Sequence, residues 1–177
     1  MKGVILRITP DAQIVDLSHG IPPQNIRAAA LTLAASVDNF AEGTIHVAVV
    51  DPGVGSERRP ILIESADHYF VGPDNGVLSF ALEGKEPARI VNLSNETYHL
   101  QPKSGTFHGR DVFAPVAAHL ARGVSVGELG APEVVRQELV LQVEDRGVGP
   151  LLLRRERQRV AFRQNLVFEL IRSLTPR

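Results

Sequence analysis

The chain has 177 residues, a formal net charge of −1, 44% hydrophobic and 22% charged residues, and no cysteine. That length supports one domain with a full core, and the near-zero charge predicts no general attraction to nucleic acid or an anionic membrane. The lack of cysteine excludes disulfides and thiolate metal sites and fits a cytoplasmic location, while no apolar run nears the ~20 residues that span a bilayer.

The opening "MKGVILRITP" has too short an apolar stretch for a signal peptide. It reads as a helix end or a short strand, broken at Pro10-Asp11. A strand is expected from Ala12 to about Leu17, followed by a rigid "IPPQN" connection in which Asn25 can cap a helix. In "NIRAAALTLAASVDNF", Ile26, Ala29, Ala30, Leu33 and Val37 fall on one helical face. "EGTIHVAVVDPG" is the next strand, apolar from Val47 to Val50 as in a strand buried on both faces. "RPILIES" and "DHYFVGPDNG" form two strands joined by a short turn at Ala66-Asp67. "GVLSFALEG" is a short helix or irregular, and "ARIVNLS" is a further strand. "HGRDVFAPVAAHLARG" gives a helix from about Asp111 that stops at Gly123. Alternating strands and helices predict a layered α/β/α domain with a mostly parallel sheet over residues 1–144. Residues 145–177 form an atypical tail with eight of the sixteen arginines. There Val160, Val167, Ile171 and Leu174 sit at helical spacing, so a terminal helix is expected.

Four polar clusters stand at strand ends: Asp16-Ser18-His19, Asp51 with Arg58, "GPDNG" at 72–76, and "TFHGRD" at 106–111. In open α/β sheets, ligands bind at the carboxyl ends of strands, so these clusters could converge on one site. Each also has a plainer reading. "VDLSHGIPP" and "GPDNG" are turn chemistry, and His108 could be a cap or a packed ring. Asp51, directly after a buried strand, needs a partner. A buried ion pair with Arg58 would satisfy it, with Arg59 left in solvent. Asp16, His19, Asp51, His108 and Asp111 could supply metal ligands, but no pair has the spacing of a helix-borne site. "GVGS" lacks the lysine of a phosphate-binding loop.

The segments "PDAQIVDLSHGIPPQNI", "VAVVDPGVGSERRP", "YFVGPDNGVL" and "TFHGRDVFAPVAAHLARG", in this order, closely resemble the S-adenosyl-L-methionine hydrolases (adenosine-forming), relatives of the fluorinase and chlorinase. The resemblance covers about residues 1–145. It implies hydrolysis of S-adenosylmethionine, as substrate and without cofactor or metal, to adenosine and methionine. It places the family's water-activating Asp, Arg and His on Asp51, Arg58 and His108. Phe107 to Gly109 falls on the stretch lining the nucleophile pocket and nucleoside, and Gln24 falls where the fluorinase has an aromatic wall. The halide-using relatives have tyrosine at the position of Asp51, so the carboxylate here favours water over halide. The resemblance also implies a homotrimer with sites between subunits. Two family segments are not matched: an opening strand with a "TDFG" aspartate, and a C-terminal β-barrel. The chain therefore reads as truncated at both ends. The alternatives to a hydrolase are a weakly active or inactive remnant that binds nucleoside or self-associates, and a halogenase.

Overall fold

The strictly alternating side chains of one buried strand separate the molecule into layers. In this computed structural model, residues 1–133 are described in full and residues 166–171 by their backbone. Strand β2 (Ile45–Val49) is buried at every position. Ile45, Val47 and Val49 face one core, whereas Ala48 and the following Val50 face another. On the first side lie α1 (Lys2–Ile8) and α3 (Ala114–Ala121), with Ile5, Phe113, Val116 and Ala117 packed onto the sheet. On the second lies α2 (Ile26–Val37), which buries Ala29, Ala30, Leu33 and Val37, together with a 3₁₀ turn at Phe80–Leu82. The layered α/β/α class expected from the sequence is therefore observed.

The helix signals act as read. Asn25 Oδ1 accepts from the Ala28 N–H at 2.9 Å and caps α2. Gly123, at φ 94°, ends the helical run that contains α3, because a residue without Cβ takes the left-handed region at no steric cost. That run opens not with an α-helix at Asp111 but with a π-helical turn, Gly109–Phe113.

The remaining strands are β1 (Gln13–Ser18), β3 (Pro60–Ser65), β4 (His68–Pro73), β5 (Pro87–Asn92), β6 (Ala131–Pro132) and β7 (Leu166–Ile171). Their order is β1-β7-β2-β4-β3-β5-β6. The expected mostly parallel sheet is corrected here: among the described strands only β2 and β4 pair in parallel, and the other ladders are antiparallel. The cause is local. Ala66 and Asp67, at φ 48° and 62°, make a two-residue hairpin between β3 and β4, and so short a connection joins only antiparallel strands. A second correction concerns the tail. Helical spacing was expected through Val167 and Ile171, but residues Leu166–Ile171 are a strand. β7 pairs on both edges, with β1 and with β2, and ladder bonds on two sides are not outweighed by a few apolar positions at helical spacing. Val160 and Leu174 lie outside the described residues, as does most of the tail.

β1 and β2 both run antiparallel to β7, and so run parallel to each other. With one strand between them, their carboxyl ends stand about 9–10 Å apart on one sheet edge. The exits of β4 and β5 and the entry of β3 reach the same edge.

Candidate active site

At that edge β2 ends and Asp51 follows. The loop 52–57 then carries the chain over the sheet edge and back, so that Arg58 returns to Asp51. Arg58 Nε and Nη2 both donate to Asp51 Oδ2, at 2.9 and 2.5 Å. The side chains are 4% exposed for Asp51 and 8% for Arg58, so this is a buried ion pair whose charges require each other. The guanidinium carbon also lies 5.4 Å from the centroid of the buried Phe113 ring, a cation–π contact that holds its plane. Because both donors converge on one carboxylate oxygen, Asp51 Oδ1 and Arg58 Nη1 are left over. Both atoms are buried and have no protein hydrogen-bond partner among the described residues. Such groups are costly to desolvate unless something polar meets them.

His108 completes the group. Its Nδ1 lies 2.7 Å from Arg58 Nη2. A guanidinium only donates, so Nδ1 accepts and the ring proton of neutral His108 sits on Nε2. Burial, and next the Arg58 charge, hold the His108 pKa below the ordinary histidine value. Buried Asp111 organises the segment that presents His108. Its Oδ2 accepts from the Ser104 N–H at 2.9 Å, its N–H donates to Phe107 O at 2.9 Å, and its carbonyl accepts from the Leu100 N–H at 2.8 Å. Burial works against the charge on Asp111, but Arg110 and the Ser104 N–H hold its pKa below the usual carboxylate range.

The two loops meet at Gly55. It has φ 79°, and a Cβ there would stand 2.6 Å from the Gly105 carbonyl oxygen. Gly55→Ala is expected to cost about 1–2 kcal/mol from the left-handed backbone alone. It should also push the His108 loop off Arg58, a displacement of the kind that costs up to ~10²-fold in rate. Thermal melting beside a turnover assay checks both effects.

Of the residues singled out in the sequence, the structure gathers Asp51, Arg58 and His108. Phe107 adjoins them, with the Arg110 guanidinium 5.0 Å from its ring centroid, and buried Gly109 begins the π-helical turn. Gln24 is exposed in the loop before α2, at φ 64°, and its side chain makes no hydrogen bond to the triad among the described residues. Asp16 pairs with Lys2 and, at 2.9 Å, with His19 at the end of β1. Among the described residues no group of three or more His, Asp or Glu is placed to hold a metal ion. Arg59 departs from its reading as a solvated cation. It donates to Asp74 from Nε and Nη2, at 3.0 and 2.6 Å, and from Nη1 to Glu133 at 2.9 Å. The signal for this contact was present. Counting outward from a two-residue turn at 66–67 places Arg59 opposite Asp74.

An α/β/α sandwich with a buried carboxylate–guanidinium pair and a half-buried imidazole where its strands end has polar groups at the edge where α/β folds generally bind ligands. Residues 1–130 match the SAM hydroxide adenosyltransferase N-terminal domain, and the chain belongs to that family. It is 44% identical over 141 residues to the (R)-S-adenosyl-L-methionine hydrolase of Salinispora tropica, covering 78% of this chain and 52% of that protein. A crystal structure of an uncharacterized conserved protein from Thermotoga maritima superposes with a TM-score of 0.72 at 42% identity, covering 76% of this chain and 53% of the other. The fluorinase of Actinoplanes is more distant, at 24% identity over 152 residues, covering 73% of this chain and 51% of that protein. The chain spans about half the length of the curated relatives it matches.

Proposed function

We propose that this chain carries the water-activating half of a hydrolase that converts S-adenosyl-L-methionine and water to adenosine and L-methionine. The observation that carries this reading is the pair of buried atoms without partners among the described residues, Asp51 Oδ1 as acceptor and Arg58 Nη1 as donor. One water between them gives a proton to Oδ1 and keeps a lone pair for attack. The relatives named as hydrolases of this substrate support the reaction assigned.

The chemistry suits these groups. Water oxygen attacks ribose C5′, and the C5′–S bond breaks with its electron pair going to sulfur. Methionine leaves as a neutral thioether, so no general acid is needed. The proton passes to Asp51 as the C–O bond forms. Arg58 holds the oxygen in line, and His108, with its proton on Nε2, is a donor toward the nucleophile rather than the base. Charge is lost as the sulfonium meets the developing hydroxide, and a site of low polarity favours that step. A carboxylate repels an approaching chloride or fluoride, which is why water rather than halide is the nucleophile here.

Equimolar adenosine and methionine are expected when the purified protein is incubated with S-adenosylmethionine at neutral pH. The rate should fall as the pH drops below about 6.5, where histidines ordinarily take a proton. Protonating His108 at Nδ1 sets it against the Arg58 cation. Since its pKa is lowered, the fall should centre below the ordinary histidine value. Chromatography against a no-enzyme blank across pH 5 to about 9 tests this, on the ordinary histidine scale. Product formation no faster than the blank, from folded protein, defeats the reading.

A further inference from the structure

The two residues that leave β4, Asp74 and Asn75, touch the neighbours of both members of the buried ion pair. The Asn75 Nδ2 amide donates to the carbonyl of Val50, directly before Asp51, at 2.9 Å. Its Oδ1 accepts from the Val77 N–H at 3.1 Å, which fixes the amide's orientation. The Asp74 carboxylate receives Arg59, directly after Arg58, and the Asp74 N–H donates to the Arg59 carbonyl at 2.9 Å. The loop 51–58 is thus gripped just outside each end by adjacent residues of one turn. Beneath that turn, β4 lies against β2 so closely that a Cβ on Gly72 would stand 2.6 Å from the Ala48 carbonyl oxygen.

We infer that Asp74 and Asn75 are positioning residues for the candidate active site, a double clamp that sets the approach of Asp51 to Arg58 and, through Arg58, of Arg58 to His108. Neither residue touches the reacting atoms. Turn formation alone does not call for these bonds. A turn is closed by the Ser79 and Asn75 backbone N–H groups, which donate to the Gly76 and Pro73 carbonyls, whereas the clamp bonds run across to a different strand and a different loop. Arg59 is the hinge on the other side, because its third bond, to Glu133, ties the same grip to the residue after β6. The effect on turnover rests on the hydrolase reading, but the geometric effect on His108 does not.

The test therefore reads His108 directly. The ring signals of the six histidines are followed by NMR titration in the native chain, in Asn75→Ala and in Asp74→Asn, with His108→Gln identifying the resonance. With the clamp intact, His108 titrates below the ordinary value. With it loosened, Arg58 withdraws and the His108 midpoint moves up, because the Arg58 charge is, after burial, the second cause of its lowering. Asn95 provides the control. It makes the same kind of bonds at another turn, accepting from the Thr97 N–H and donating to the Glu128 carbonyl. Asn95→Ala should lower stability and leave the His108 midpoint in place. In a turnover assay the clamp variants should lose about 10- to 100-fold in kcat, as small misplacements do, with KM changed far less.

If both clamp variants fold and His108 titrates as in the native chain, the clamp does not exist and "GPDNG" is only a turn. If Asn75→Ala does not fold, Asp74→Asn decides, since it keeps the shape of a side chain that is 18% exposed. A shifted His108 with no turnover in the native chain would uphold the clamp and overturn the hydrolase reading.

Discussion

Asp51→Asn is expected to leave a folded protein that releases adenosine and methionine at least ~10²-fold more slowly than the native chain, the usual scale for losing a positioned base. Asparagine keeps the shape of the carboxylate, and its amide oxygen can still accept from Arg58. What it cannot do is take a proton from water at neutral pH. Arg58, 8% exposed, loses the charge that balances it, and an unpaired buried cation is destabilising by several kcal/mol. Melting must therefore be measured beside turnover. Asp51→Ala removes the shape as well and should unfold at lower temperature than Asp51→Asn. His108→Gln separates the two roles. Glutamine still donates a hydrogen bond, so it should retain more activity than Asp51→Asn if His108 is a donor rather than the base. The opposite order, with Asp51→Asn more active than His108→Gln at equal folded fraction, moves the proton to the imidazole and sinks the assignment made from the Nδ1 contact.

The reason Asp51 could be singled out in the sequence is physical. A carboxylate following four apolar residues must be paired or must work, and Arg58 seven residues on could reach it. The structure shows both residues buried and paired, and His108 joins them from a loop fifty residues away. That third contact was not readable from local pattern. It came from the resemblance of "TFHGRD" to a known family, since periodicity says nothing about which loops meet. The face of α2 and its Asn25 cap were legible because 3.6-residue spacing and side-chain capping are local properties. Sheet direction was not. Alternating strands and helices suggested parallel pairing, but the Ala66-Asp67 hairpin overrode it, and the arithmetic of that same hairpin would have placed Arg59 against Asp74. The π-helical turn at Gly109–Phe113 left no signal, because its buried residues Asp111, Val112 and Phe113 would read the same at the start of an α-helix. It lies where the family resemblance puts substrate contacts, and such turns concentrate at functional sites.

Phe168→Pro should be among the most damaging single changes in the chain. β7 is bordered on both sides: Phe168 stands opposite Asp16 of β1 and opposite Val47 of β2. Proline in a strand paired on both edges removes a ladder N–H, and its ring forces the backbone away from its neighbour. A loss of about 3 kcal/mol is expected, by analogy with proline in other regular structure. For a chain of this size that is roughly a 6–12 °C fall in melting temperature. The effect should not stay in the tail. β7 is all that separates β1 from β2 in the sheet, and the strand ends that carry Asp16 and Asp51 are held apart by its width. If β7 is displaced, the two inner edges are left with unpaired backbone groups, a template for association with other chains. Melting, light scattering and amide exchange of Ile45 to Val49 should therefore change together. A Phe168→Pro protein that melts like the native one, with β2 amides still protected, would mean that this strand does not fill the slot between β1 and β2 in solution. The edge that carries Asp51 would then be supported by β4 alone.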